Sequence, residues 1–190
     1  MIRFIALLAC LAATPAAAQQ PKDNAEMQAL FVADQAARQT ITSPRGIDRA
    51  FAVKLVAEDE QRRTVARRLL DAGALHTADD YYAAAFVFQH GKTADDYLLA
   101  HSLALAAAAR GKAEAAWIAA ATLDRYLQKI GQKQVFGTQY ITGKDTGPTM
   151  EPYDRALVPD SLRAALGVPD RAAQDTRLTA MRAAIAPAKP

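Results

Sequence analysis

The sequence predicts a mainly α-helical fold: a solenoid-like array of antiparallel α-hairpins, with a small β-hairpin after the central helices. Three apolar, alanine-rich segments occupy residues 77–131, and each one ends at a glycine, namely Gly91, Gly111 and Gly131. Short connections closed by glycine make neighbouring helices antiparallel. After the third glycine the composition changes to residues typical of strands, which places the β-hairpin behind the helical array.

A short segment, TADDY, begins two of these helices, at residues 77–81 and 93–97. In each copy the threonine can cap the free amides of the helix, and the aspartates lie in its positively polarised first turn. The repeat is distantly similar to tetratricopeptide and Sel1-type solenoids, whose consensus is absent. It therefore predicts repeated helices, and it brings no peptide-binding function with it.

The first residues have the layout of a cleaved secretory signal. Arg3 precedes an apolar run at residues 4–13, and small residues at 16–18 form the expected cleavage site. The apolar run is shorter than the roughly 20 residues that span a bilayer. We therefore expect a signal peptide at 1–18 and a single, mostly helical domain at 19–190. That domain would be periplasmic or secreted, without membrane contact after removal of the signal.

Cysteine content and charge exclude several classes of function. The chain has one cysteine, Cys10, and it lies within the signal, so we expect no disulfide, cysteine nucleophile or cysteine metal site in the mature chain. The 23 Lys and Arg residues fall to 22 when Arg3 leaves with the signal, against 20 Asp and Glu. A nearly neutral chain whose arginines alternate with acids argues against nucleic acid as a partner.

Two helices are expected before the alanine-rich segments. The first, at 22–42, places Asp34 and Arg38 four residues apart and so on one face. The second, at 48–72, has an apolar face that is interrupted by charged residues, including Asp59 and Arg62. Either the long arginine stems reach out past the edge of the core, or these two side chains point toward an internal polar cluster.

Polar residues also interrupt the apolar helices between 77 and 131, and burying such groups unpaired costs about 1–3 kcal/mol each. We therefore predict that they meet in one internal cluster. Its catalytic candidates are His90 as a general base, Asp124 to orient a histidine, and Arg125 to hold a developing oxyanion. Its ligand-binding candidates are Gln89, His101, Gln134, Thr138 and Gln139.

The last part of the chain mixes strands and helices. Residues 134–142 have β-type composition, 143–148 form a turn, and 149–153 return as a second strand. A proline begins a short helix at 159–167, which ends at a glycine, and a final helix is predicted at 171–184. The hairpin is expected to bring Gln134, Thr138 and Gln139 to the helical cluster.

Four motifs lie along the mature chain: DQAAR at 34–38, FQHG at 88–91, LDR at 123–125 and QVFGTQ at 134–139. Together they resemble the bacterial proteins grouped as domain of unknown function 6624, and this chain looks like an exported member. The family has no established activity, so the resemblance implies that certain residues lie together and implies no reaction or ligand. The grouped residues are Gln89, His90, Asp124, Arg125, Gly137, Thr138 and Gln139.

Three functions are compatible with these residues. The favoured one is a binding, interaction or structural module, whose cluster holds a small polar or anionic ligand, contacts a protein partner, or locks the helices together. The second is a hydrolase-type enzyme using His90 and Asp124, although no G-x-S-x-G or H-E-x-x-H signature is present. The third is a metal site built from His90, His101 and Asp124. No cofactor and no metal ligand are assigned.

Overall fold

The computed structural model describes residues 21–39, 48–143 and 147–185. Within these ranges the chain forms seven helices and one two-stranded sheet, which confirms the mainly α-helical class with a small β-hairpin. The predicted signal peptide at 1–18 lies outside the described residues. The elements are α1 (Ala25–Gln39), α2 (Arg49–Asp71), α3 (Ala78–Phe88), α4 (Ala94–Ala109), α5 (Ala115–Lys129), β1 (Ile141–Gly143), β2 (Gly147–Thr149), α6 (Asp160–Ala165) and α7 (Arg171–Ile185).

Both TADDY segments begin helices by reciprocal capping. The Thr77 hydroxyl accepts a hydrogen bond from the Asp80 amide at 3.0 Å, and the Asp80 carboxylate accepts one from the Thr77 amide at 3.2 Å. Thr93 and Asp96 form the same pair at the start of α4. Each capping box satisfies amides that have no partner inside the helix. The two helix starts are therefore determined locally, by side chains three residues apart.

The helices pack around a core of small residues. α4 lies between α3 and α5, while α1 packs against α3 and α2. Phe31 on α1 contacts the rings of Tyr82 and Phe86 on α3, with ring centres 5.8 and 5.4 Å apart in edge-on geometry. Small side chains let neighbouring helices approach closely. Buried alanines at these contacts include Ala83, Ala84, Ala100, Ala104 and Ala120.

The β-hairpin is shorter than the sequence predicted. β1 and β2 pair antiparallel, with Ile141 opposite Thr149. Residues 134–140, predicted as strand, instead form a loop that is joined to Tyr153 by an isolated parallel bridge at Gln134. The Gln134 amide donates to the Pro152 oxygen, but the next amides that are paired, from Val135 to Gln139, donate to side chains and not to a neighbouring strand. This is why β-type composition was misleading here. Residues 144–146 lie outside the described part of the chain.

The two C-terminal helices hold this loop from its other side. Arg163 on α6 is fully buried and donates to the backbone oxygens of Val158 at 3.1 Å, Val135 at 3.2 Å and Phe136. Gln174 on α7 donates to the same Phe136 oxygen at 2.7 Å. Both helices begin close to their predicted positions. Among the described residues, none of the helices is both long enough and apolar enough to cross a bilayer.

Candidate functional site

The predicted polar residues fall into separate groups instead of one cluster. Three groups are defined by their contacts, and His101 lies apart from all of them. The ion-pair cluster joins α1, α2 and the end of α3; the loop anchor lies between α5 and residues 134–139; and the α5 cleft opens beside Arg125. No hydrogen bond or ion pair within the described ranges links His90, His101 and Asp124 to one another. The expectation of a single shared cluster is corrected accordingly.

The ion-pair cluster consists of Asp34, Arg38, Asp59, Arg62 and His90. Asp34 is 1 % exposed, pairs with Arg38 at 3.0 Å and lies 3.5 Å from the His90 Nε2 atom. Arg38 also donates to both carboxylate oxygens of Asp59 at 2.8 Å, and Arg62 donates to Asp59 at 2.6 Å. Arg62 is 8 % exposed, so Asp59 and Arg62 point inward and the interpretation of stems reaching outward is wrong for Arg62.

Opposite charges compensate each other within the ion-pair cluster. Burial alone raises the pKa of Asp59, but the hydrogen bonds from Arg62 and Arg38 outweigh this effect, so the pKa lies below its ordinary value of 3.8. Two carboxylates of the cluster face its two guanidinium groups, and a third carboxylate, that of Glu58, lies 3.9 Å from Arg62 at the edge of the cluster. The carboxylate that faces His90 is Asp34 and not Asp124. This residue belongs to the DQAAR motif, but no pattern in the sequence indicated that it would lie beside a histidine.

The loop anchor centres on Asp124, which is completely buried. Its Oδ1 atom accepts hydrogen bonds from the amides of Val135 at 2.8 Å and Phe136 at 3.0 Å. Its Oδ2 atom accepts from the amide of Thr138 at 2.9 Å and from the Thr138 hydroxyl at 2.7 Å. A carboxylate has about four lone-pair sites, and all of them are used here. Asp124 therefore holds the loop and is not available to orient a histidine.

The two glutamines of the loop complete the anchor. The Gln134 amide group donates to the backbone oxygens of Gln139 at 3.0 Å and Met150, and its oxygen accepts from the Gln139 amide at 3.0 Å. Gln139 in turn donates to the Ala121 oxygen at 3.2 Å and to the Thr138 hydroxyl at 2.9 Å. These residues were predicted to bind a ligand, and their polar groups are instead occupied within the protein.

Two further candidates lie apart from these groups. The Nδ1 atom of His101 is 2.9 Å from the Ala119 oxygen, and because a carbonyl only accepts, this nitrogen carries the proton. His101 thus ties α4 to α5 at the edge of an apolar cavity of about 210 Å³. Gln89 is 6 % exposed and ends α3 through its backbone. Within the described ranges, no three His, Cys, Asp or Glu side chains converge as metal ligands.

The α5 cleft lies between the end of α5 and the first strand of the hairpin. It has a volume of about 560 Å³. Arg125 and Lys129, one turn apart on α5, both border it, and none of the described residues along its wall is an acid. Its lining consists of Tyr97, Arg125, Gln128, Lys129, Gly131, Gln132, Gln139, Tyr140, Ile141 and Pro152.

Arg125 is the unusual group of the α5 cleft. It makes no hydrogen bond and no ion pair within the described ranges, and its Nε atom is buried without an acceptor. The Nε2 atom of Gln128 is buried in the same way. Burial lowers the pKa of the Arg125 guanidinium; Tyr97 counteracts this shift, and the positive charge of Arg38 adds to it. An arginine still remains charged at neutral pH, so the cleft contains a partly buried cation that has no counter-charge among the described residues.

No protein-family model, curated protein or solved structure matches the chain. The resemblance to domain of unknown function 6624 therefore stays a prediction that rests on the motifs. The structure gives each of these motifs a physical role. DQAAR supplies the ion pair of Asp34 and Arg38, and FQHG supplies His90, which lies beside Asp34. LDR supplies one residue to the loop anchor and one to the α5 cleft, and QVFGTQ is the loop that Asp124 holds.

Proposed function

We propose that the protein is a binding module for a small anionic ligand, which the α5 cleft holds through Arg125. The observation that carries this proposal is the pair of buried donors, Arg125 Nε and Gln128 Nε2, that have no acceptor in the described part of the chain. Each buried donor left unsatisfied costs about 1–3 kcal/mol, and a charged one costs more. A ligand with two acceptor oxygens removes this cost, because the guanidinium fork matches a carboxylate or phosphate group.

The charge distribution around the cleft supports an anion. Lys129 follows Arg125 by one helical turn and has an exposed side chain, which adds a second positive charge at the mouth. The neighbouring cation, Arg38, is already paired with Asp34 and Asp59. With no acid among the described lining residues, the local field attracts an anion from solution.

The contacts favour binding over hydrolysis. Asp124 uses its lone pairs in the loop anchor, and the histidine that it was expected to orient faces Asp34 instead. Arg125 supplies recognition, and the described lining of the cleft contains no serine, cysteine, histidine or carboxylate that could act as a nucleophile or general base beside it. The signal peptide predicted at residues 1–18 leads to the further proposal that binding takes place outside the cytoplasm. The mass of the mature protein would show whether these residues are removed.

A titration of the ¹⁵N-labelled protein tests the proposed function. Acetate, inorganic phosphate and uncharged glycerol are added in turn to the wild type, to Arg125→Met and to Arg49→Met, which removes the same charge from an exposed position on α2. We expect at least one anion to shift signals of the cleft in the wild type and in Arg49→Met. We expect at least tenfold weaker binding in Arg125→Met, equivalent to about 1.4 kcal/mol.

Two outcomes would contradict the proposal. One is the absence of binding by every anion in the wild type, and the other is unchanged anion binding by Arg125→Met. Circular dichroism of each variant checks that its helices are intact, so that lost binding is assigned to the missing guanidinium.

A further inference from the structure

Besides its polar residues, the α5 cleft is lined by two tyrosine rings and by Ile141 and Pro152. The Tyr97 hydroxyl donates to the Gly91 oxygen at 2.9 Å, and the Tyr140 hydroxyl donates to the Gln174 oxygen at 3.4 Å. With their hydroxyls engaged elsewhere, both tyrosines offer mainly ring surface to a ligand. Ile141, which is 45 % exposed, extends this surface along β1.

The size of the cleft argues against a bare ion as its occupant. A volume of about 560 Å³ lies within the range of pockets that enclose organic ligands and is far larger than one carboxylate or phosphate group requires. A bare ion would satisfy Arg125 and leave the ring surfaces and Ile141 in water. A ligand that combines an anionic end with an apolar body would cover both.

We propose that the ligand is an amphiphilic monocarboxylic acid with an aromatic or branched aliphatic body. Its carboxylate lies on the Arg125 guanidinium and the Gln128 amide, and its body lies against Tyr140, Ile141 and Pro152. This inference rests on the proposed function, and it specifies the class of anion that the same cleft takes.

The polar groups along the cleft set the limits of this class. The side-chain amide of Gln139 is occupied by the Ala121 oxygen and Thr138, and the other polar lining residues, Lys129 and Gln132, are exposed, so few buried donors remain for a ligand rich in hydroxyl groups. No described carboxylate lines the cleft to receive an ammonium group, which disfavours free amino acids. The partly buried Arg125 guanidinium matches a single negative charge, whereas the second charge of a phosphate dianion would meet only the exposed, solvated ammonium group of Lys129, which is a weak partner.

Isothermal titration calorimetry with four probes tests this inference on the full chain. The probes are 3-phenylpropionate, propionate, inorganic phosphate and the uncharged 3-phenylpropanol. We expect 3-phenylpropionate to bind at least about tenfold more tightly than each of the other three, because it alone supplies both the charge and the apolar body. A tenfold ratio in Kd corresponds to about 1.4 kcal/mol.

Two variants separate the anionic and apolar contacts. Ile141→Thr keeps a β-branched residue in an exposed strand position and should weaken 3-phenylpropionate severalfold while leaving propionate unchanged. Thr142→Ala, at the next exposed position, which does not line the cleft, is the matched control and should change neither affinity. Arg125→Met should weaken both acids.

The outcomes distinguish this inference from the proposed function. If propionate or phosphate binds as tightly as 3-phenylpropionate, the amphiphilic ligand is refuted and the anion site stands. If 3-phenylpropanol binds as tightly as 3-phenylpropionate, or if Arg125→Met binds the acids like the wild type, the guanidinium has no role and both proposals fail. Absence of binding by all four probes refutes both as well.

Discussion

Asp124 and Arg125 are consecutive residues near the end of α5, and their surroundings are opposite. Side chains at consecutive helical positions point about 100° apart around the axis. Asp124 faces the loop and accepts four hydrogen bonds, whereas Arg125 faces the α5 cleft and makes none within the described ranges. The comparison teaches that burial alone does not identify a binding residue. What separates the two residues is whether the fold already supplies their partners.

Three arginines extend the comparison. Arg163 is fully buried and donates to three backbone oxygens, and Arg38 meets the carboxylates of Asp34 and Asp59. Arg125 has neither kind of partner among the described residues. The protein therefore satisfies the buried guanidinium of Arg163 with carbonyls and the partly buried guanidinium of Arg38 with carboxylates. Only at the α5 cleft, among these three sites, is the acceptor left for another molecule to supply.

Replacing Asp124, the residue whose hydrogen bonds are all made within the protein, should have the largest effect on stability. In Asp124→Asn an NH₂ group would face the Thr138 amide, or else the amides of Val135 and Phe136, so at least one buried donor loses its acceptor. We expect a loss of about 3 kcal/mol in the free energy of unfolding, measured with urea. Asp79→Asn breaks only a partly exposed pair with Lys112 and should cost about 1 kcal/mol or less.

Equal, small losses in these two variants would mean that the loop does not depend on the Asp124 carboxylate. The contrast between Asp124 and Arg125 would then disappear, because neither side chain would be required by the fold.

Gly137 tests how tightly the anchored loop is packed. Its φ of +69° is unfavourable for other residues, and a Cβ atom there would lie 2.6 Å from the Tyr153 ring and 2.7 Å from Gln174. Gly137→Ala should therefore cost more than about 2 kcal/mol, combining backbone strain with the clash. Gly111, at φ +97° with no atom within 4 Å of an added Cβ, provides the control, and Gly111→Ala should cost about 1 kcal/mol.

If the two alanine variants lose the same stability, the loop has room to move away from Tyr153. The loop anchor would then be less rigid than its hydrogen bonds indicate. Urea denaturation of the two variants, measured side by side, gives the two losses of stability to be compared.

The ion-pair cluster predicts a dependence of stability on acid. The pKa of Asp59 lies below its ordinary value of 3.8, so the charged carboxylate stabilises the fold above about pH 4. This contribution is lost as the pH falls from there through the lower pKa of the folded state. In Asp59→Asn the loss of unfolding free energy between pH 6 and pH 3 should therefore be smaller than in the wild type.

Asp95→Asn, at an exposed position on α4, is the control for this titration and should follow the wild-type pH dependence more closely. An Asp59→Asn variant with the full wild-type loss would show that the pairing with Arg38 and Arg62 does not hold the carboxylate in its charged form.

Local features of the sequence were predictable and long-range partnerships were not. The starts of α3 and α4 follow from threonine and aspartate three residues apart, and the pair of Asp34 and Arg38 follows from a spacing of four. The partners of Asp124 are mostly backbone amides, which every non-proline residue has, so no residue pattern marks them. Arg125 lacks hydrogen-bond acceptors among the described residues. This lack becomes visible only when the three-dimensional positions of those residues are known.

Arg125→Met is the prediction with the smallest expected effect on stability, and it tests the comparison most directly. Removing a desolvated cation without an acceptor should leave the free energy of unfolding unchanged or raise it by up to about 1 kcal/mol, since methionine retains much of the apolar stem. Arg163→Met should instead cost about 2–3 kcal/mol, because it removes the donors of the buried Val158 and Val135 oxygens, while the Phe136 oxygen keeps its hydrogen bond from Gln174. If urea denaturation gives equal losses for both variants, Arg125 is a structural residue and the anion site is refuted. If only Arg163→Met is destabilised while Arg125→Met loses anion binding, the guanidinium of Arg125 serves the ligand and not the fold.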